Sequence, residues 1–392
     1  MLALCIGLAG MLPAAQEAAQ QSVEGRTVAE RILVAAESAD EIYELRFDGR
    51  DLSIANVIEV GYQATEIEGP HGLTVAPDGR HWFVSMAHGK PNGFLYKYAT
   101  GTNQLVGEAE LGLFPATMQI SHDTGFLYCV NFDLHGDMTP SSVSVVDVEG
   151  MVEIDQIVTG SMPHGSRLSV DGSRHFSCAM MSDELIEVDA VSMEVVRRML
   201  LTDGTGRPTA GGGHAEDPVT AGGGAAGGTT GDGGSRAAHV AVTKPTWVQP
   251  HPTRPVVYVA LNGAHQVVEV DLKTWAILRR FPTGRAPYNL DVTADGKRLV
   301  ITYKGAQSVG VIDLASGEEL ARIPTSRRIP HGVVLTPDSR FAFISCEDKG
   351  ATPGAVDAID LTTLKRVSSV DIGLQAGGIA LFPRSARPYL EE

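Results

Sequence analysis

Short apolar runs broken by Asp, Gly, Pro and Ser recur along the chain, and the alternation within them fits strands rather than helices. The runs belong to one repeated unit. Small residues precede an apolar strand, a turn of the Asp-Gly kind follows, and a second β-rich strand comes next. A third strand ending in Val-Asp or Ile-Asp and a fourth ending in Gly complete the unit. The first strand and turn stand as Gly72-Leu73-Thr74-Val75-Ala76-Pro77-Asp78-Gly79, and again as Gly332-Val333-Val334-Leu335-Thr336-Pro337-Asp338-Ser339. A third copy runs from Leu290 to Gly296. Taking the residue before each first strand as an anchor gives seven starts: His71, Ala116, His164, Thr246, Tyr288, His331 and Gly377. Twelve residues after six of them comes an aromatic or Val, namely Phe83, Tyr128, Phe176, Tyr258, Val300 and Phe343. Third strands end at Asp147, Asp189, Asp271, Asp313 and Asp360, where a carboxylate can close the next turn through backbone N–H groups.

The seventh copy stops after one strand, Gly378 to Phe382, and the N-terminal part supplies three more: Arg31 to Ala35, Ile42 to Leu45 and Ile54 to Gly61. The expected fold is therefore all-β: a seven-bladed β-propeller of four-stranded antiparallel blades, closed by N-terminal strands that complete the last blade. The strand and Pro-Asp-Gly turn, Tyr258-Val259-Ala260-Leu261-Asn262, and Val309-Gly310-Val311-Ile312-Asp313 resemble the YVTN family of seven-bladed propeller repeat proteins. The resemblance covers nearly all of Arg31 to Phe382. It implies the architecture and says little of function, because that family holds surface proteins, periplasmic binding proteins and relatives of cytochrome-type nitrite reductases.

A length of 392 residues would by itself suggest two domains. The repeat turns it into one ring over 26–392, preceded by a leader-like segment over 1–25. Between Leu201 and Thr246 the unit is interrupted, and 203–239 is a Gly-rich insertion expected to be a disordered loop. Residues 1–13 are apolar and Ala14-Ala15 follow, as in a secretory signal, although no Lys or Arg precedes Arg26. A periplasmic or secreted monomer without a transmembrane span is expected. With the leader-like segment and its Cys5 removed, Cys129, Cys178 and Cys346 are an odd, widely spaced set, which fits small buried residues rather than a disulfide framework. The formal charge of −16 excludes the usual nucleic-acid footprint and charge-driven adhesion to anionic lipid.

Histidine changes the picture once the repeat places it. Propeller strands alternate in direction, so loops entering the first strand and loops joining strands two and three share a face. That face collects His71, His164, His331, His88, His135, His265, His214 and His239, eight of the twelve histidines. Three anchors share the context Pro-His-Gly: Pro70-His71-Gly72, Pro163-His164-Gly165 and Pro330-His331-Gly332. They fall in blades one, three and six, separated by about 103°, 154° and 103° around a ring of seven. Three neutral imidazoles converging on an axis suit Zn, Cu or Fe. Ends of second strands offer outer partners, Glu37, Met86, Asn131, Met180, Lys304, Cys346 and Glu347, of which Glu37 or Glu347 could orient an imidazole N–H.

The expected site is thus a His-rich axial pocket for a small ligand, a transition metal first, held by His71, His164 and His331. His88, Glu347 or Lys304 would move protons in a metal-dependent oxidoreductase. Three other readings remain open. The histidines can be structural, bonding the backbone of a neighbouring blade. The face can hold a protein partner or a haem-like cofactor without catalysis. A lactonase-like hydrolase would need an Arg in the channel, for which Arg167 and Arg328 are the nearest candidates.

Overall fold

The computed structural model describes residues 29–62, 66–89, 92–134, 136–202, 207–209 and 240–384. Seven antiparallel sheets are arranged as the repeat predicts, six with their strands in consecutive order and the closing one joining the last strand to the first three. The innermost strands, in chain order, are Pro70–Val75, Pro115–Ile120, Pro163–Leu168, Pro245–Pro250, Pro287–Val292, Ile329–Leu335 and Ala376–Leu381. The last of these pairs with Glu30–Ala36, in the register Leu33 to Ala380, and Glu41–Phe47 and Leu52–Glu59 follow outward. This strand exchange between the chain ends closes the ring. Arg207–Thr209, inside the Gly-rich segment, adds a fifth strand to the outer edge of blade 3. The leader-like segment and the rest of the insertion, with His214 and His239, lie outside the described residues, as does His135.

Blades pack face to face, so a strand is buried on both sides. Ile32 and Val34 join Phe341 and Phe343 of blade 6, while Leu33 and Ala35 between them join Trp82 and Val84 of blade 1. This explains why second strands such as Val256–Leu261 are apolar throughout. The register aromatics Phe83, Tyr128, Phe176, Tyr258 and Phe343 are all buried in these seams, with Val300 in their place in blade 5. The strand-ending aspartates close turns as expected: Asp147 accepts from Gly150 N, Asp189 from Val191 N, Asp271 from Thr274 N, Asp313 from Ser316 N and Asp360 from Thr362 N. Cys129, Cys178 and Cys346 are buried and unpaired among the described residues. Burial pushes the Cys346 thiol well up, so it is a packed thiol rather than a poised nucleophile.

Candidate functional site

All seven anchors stand where the ladder slips, Gly377 in the shift between Ala376 and Ile379. Pairing between first and second strands shifts register between Pro70 and Leu73, Pro115 and Met118, Pro163 and Ser166, Pro245 and Trp247, Pro287 and Leu290, and Pro330 and Val333. A bulge frees its residue from pairing and re-aims the side chain, here toward the axis. Hydroxyls repair the broken ladder. Ser85 Oγ accepts from Gly72 N–H (2.8 Å) and donates to Ala116 O of the next blade (3.2 Å). Thr302 and Ser345 do the same work, reaching His331 O (2.9 Å) and Gly377 O (2.5 Å). The glycine of Pro-His-Gly has its own cause: a Cβ on Gly72 would lie 1.9 Å from Ala116 O, and one on Gly165 2.3 Å from Thr246 O. That glycine answers crowding at the axis, and only the histidine carries chemistry.

The rings meet around the axis. His71 and His331 stand edge to face with centroids 5.9 Å apart, and Tyr288 is 4.8 Å from His331 and 5.0 Å from His164. His164 Nδ1–H donates to Thr246 O (3.1 Å), which fixes the tautomer, so its Nε2 accepts from the Tyr288 hydroxyl at 2.6 Å. Burial, with the neighbouring His71 and Lys304, takes the His164 pKa down to about 3, and burial pushes the Tyr288 phenol up to about 12. His331 is likewise driven well below its usual value, by burial first and then by Lys304. Two neutral imidazoles and a phenol therefore stand together at neutral pH.

Carboxylates frame them. Glu37, on a single 3-10 turn of blade 7, is buried and accepts from His71 Nδ1 (2.8 Å) and His88 Nε2 (2.9 Å). Burial alone would raise the Glu37 pKa. The charge and hydrogen bonds of the two imidazoles outweigh it and bring the carboxyl to about 2, while the His88 pKa rises in return. Glu347 accepts from Lys304 Nζ (3.2 Å) and lies 3.5 Å from His331 Nε2. The Lys304 ammonium stands 4.1 Å over the Tyr288 ring. Burial would depress that ammonium, but Tyr288 and Glu347 hold it above its usual value.

The structure thus brings His71, His164 and His331 together with His88, Glu347, Lys304 and Glu37. The three anchors do not share one set of neighbours. His71 is tied to Glu37, His164 to Tyr288 and Thr246, and His331 faces Glu347. Among the described residues no group of three or more His, Cys, Asp or Glu side chains is placed to hold a metal ion. Tyr288 is the residue the repeat does not single out, since in the alignment of anchors it reads as a blade that lacks histidine. Its signal would have been the Tyr's ability to bridge two imidazoles across the axis. His265, exposed on the same face, stays within its own turns, its Nδ1 beside Ala286 N (3.1 Å) and Asn262 O (3.0 Å). Arg328 pairs with Asp348 at the surface (2.5 Å). Trp82 packs within its blade, stacked on Tyr98 at 4.2 Å. Trp247 instead lines the channel, where the cavity between His71, His331, Asn289, Trp247 and Arg167 measures about 40 Å³.

Residues 238–340 match the family model of the YNCE-like beta-propeller. The uncharacterized YncE proteins of Salmonella typhi and Salmonella typhimurium are 28% identical over 174 residues, 42% of this chain and 48% of theirs. The chain thus matches about half the length of these curated relatives. Among solved structures, a Lactobacillus plantarum protein superposes with TM-score 0.68 at 14% identity over 91% of this chain and 100% of its own. A functionally unknown Desulfotomaculum acetoxidans protein gives TM-score 0.63 at 15% identity, covering 90% and 98%. Kuenenia stuttgartiensis hydrazine synthase gives 0.55 at 20% identity, covering 77% and 80%. At these identities the likeness speaks for the fold alone. No helix among the described residues is long and apolar enough to cross a membrane. Together with the seven-bladed ring, the matches bear out the resemblance to YVTN-type propellers.

Proposed function

We propose that this YVTN-type propeller binds a small, hydrogen-bond-donating molecule at the axial cluster of His71, Tyr288, His164 and His331. The observation that carries the reading is Glu37. One buried carboxylate engages His71 through Nδ1, so Nε2 is the ring nitrogen left for a ligand. Glu347 adds acceptor oxygens, and the cluster holds two carboxylates against one ammonium. A fold gains little from burying such a set, and sites of binding or proton transfer are where it is found. The room available, about 40 Å³, suits a molecule of a few heavy atoms such as a small amine.

With Nδ1–H committed to Thr246 O, His164 Nε2 accepts from the Tyr288 hydroxyl, and the Lys304 ammonium lies over the phenol ring, which fixes Tyr288 between the two imidazoles. A second reading, a transition ion on the free Nε2 of His71 with His331 beside it, is favoured by the same Glu37–His71 pair. His164 would join only after parting from Tyr288. The leader-like segment supports a place in the periplasm or outside the cell.

Calorimetric titration with ammonium, methylamine, imidazole, Zn²⁺ and Cu²⁺ tests both readings. An amine or imidazole that binds the wild type and is lost in His71→Ala, with Tyr288→Phe weakened, supports the first. Stoichiometric ion binding lost in His71→Ala and His331→Ala supports the second. If every ligand behaves alike in wild type and His71→Ala, the cluster is structural and the proposal fails.

A further inference from the structure

Three residues beyond the anchors, on the same inner strands, blades 2 to 5 carry Gln119, Arg167, Gln249 and Asp291. All four line a cavity of about 450 Å³ at the other end of the channel, a size typical of small-molecule sites. The corresponding residues of blades 6 and 7, Val334 and Ala380, are apolar, so the polar wall is confined to one side. Arg167 is fixed there in an unusual way. Its guanidinium carbon stands 4.5 Å over the Trp247 ring, and one N–H donates to Ser166 O (2.9 Å).

Arginines elsewhere in the ring differ: Arg254 and Arg279 share the buried Glu269, and Arg174 and Arg197 share Glu187. Among the described residues no carboxylate stands within ion-pair distance of Arg167, and Asp291 acts on it only through its field. Asp291 turns one oxygen to Val292 N–H (2.8 Å). A guanidinium set over an indole, lining a cavity and without a carboxylate partner among the described residues, is a fork open to a planar acceptor.

We infer that this mouth of the channel is a binding site for a small monocarboxylate, held by the Arg167 guanidinium between Gln119 and Gln249 and beside Asp291. One guanidinium can neutralise one charge. A dianion would meet Asp291 and Asp123, which line the same cavity, so a single carboxylate fits the balance. The groups facing Arg167 are Asp291 from blade 5, His175 from the second strand of blade 3, and His122 and Asp123 from the turn of blade 2. Burial takes His175 down to about 3, so it stays neutral. Burial raises Asp291 to about 6 against the opposing pull of Arg167, and a carboxylate bound alongside would raise it further. Binding therefore takes up a proton at Asp291, and affinity rises as pH falls from 8 to 6.

Calorimetric titration of the full chain with sodium acetate, at pH 8 and pH 6 and in two buffers of different ionisation enthalpy, tests this. The expected result is saturable binding with net proton uptake, at least ten-fold weaker in Arg167→Gln. Asp291→Asn should bind several-fold tighter than wild type at pH 8 and lose the pH dependence. That gain cannot come from misfolding, which guards against a merely unstable Arg167→Gln. No saturable binding in the wild type, unchanged affinity in Arg167→Gln, or a wild-type pH profile in Asp291→Asn would each overturn the site. Sulfate bound as tightly as acetate through Arg167 would overturn the carboxylate assignment.

Discussion

Where the anchors meet, Glu37 is shared by two imidazoles, Glu347 by Lys304 and His331, and the His164 ring is used at both nitrogens. Three residues along the same strands, Arg167 and Asp291 face a wider cavity and do not pair. At the first end the charged groups are paired with one another. At the second, Arg167 and Asp291 bond only to backbone and act on each other at a distance. Identical backbone geometry, repeated around one ring, thus supports opposite chemistry, because the anchors lie in bulges and the later residues lie in the regular ladder. Chemistry in this fold is a property of strand position, with the blade as a neutral carrier.

That contrast can be broken by stability measurements. Glu37→Ala strands two imidazoles in a buried site and should cost about 3 kcal/mol in urea unfolding at pH 7. Arg167→Gln abandons no paired partner and should stay within about 1 kcal/mol of wild type. Equal losses would show that the two ends are not energetically different.

The pH dependences should run in opposite senses. Glu37 is held at about 2 against an ordinary 4.5, so its stabilisation is present above pH 4.5 and is lost as pH falls toward 2. Asp291 is raised from 3.8 to about 6, so the folded state holds its proton longer than the unfolded chain. Its penalty is absent below pH 3.8 and grows until pH 6. Asp291→Asn should accordingly stabilise the protein by about 2 kcal/mol at pH 7 and by nothing near pH 3.5, read from unfolding midpoints at the two pH values. A stabilisation that persists at low pH would assign the effect to packing instead.

Tyr288→Phe leaves His164 Nε2 without its donor and should cost about 1 kcal/mol, with the His164 ring proton signals moving in NMR spectra. A loss near zero would mean that water replaces the phenol. His265→Ala should be the smallest effect, within about 0.5 kcal/mol, with amine binding at the axis unchanged. A lost affinity there would extend the site to the rim of the face.

Much of this was legible along the chain. The twelve-residue step from anchor to buried aromatic, the turn-closing aspartates and the split last blade all follow from local rules: strand alternation, turn chemistry and the need to leave no open edge. The same register identified the anchor row and placed His88, Glu347, Lys304 and Glu37 at strand ends beside it. It could not show Tyr288 as a member of the cluster, nor Trp247 as a channel residue, because a phenol bridging blades 3 and 5 is a contact between residues 124 apart. Pro-His-Gly was legible as a repeated signature, but its glycine proved to be a matter of backbone crowding.

The sequence by itself determined the ring, the blade boundaries and the row of positions that reach the axis, because each depends on residues a few places apart in one repeat. Only the tertiary structure decided which imidazole meets which partner, and that Arg167 meets no carboxylate among the described residues. Those outcomes depend on distances across the channel between blades remote in sequence. There, burial and neighbouring charge set the protonation of every group.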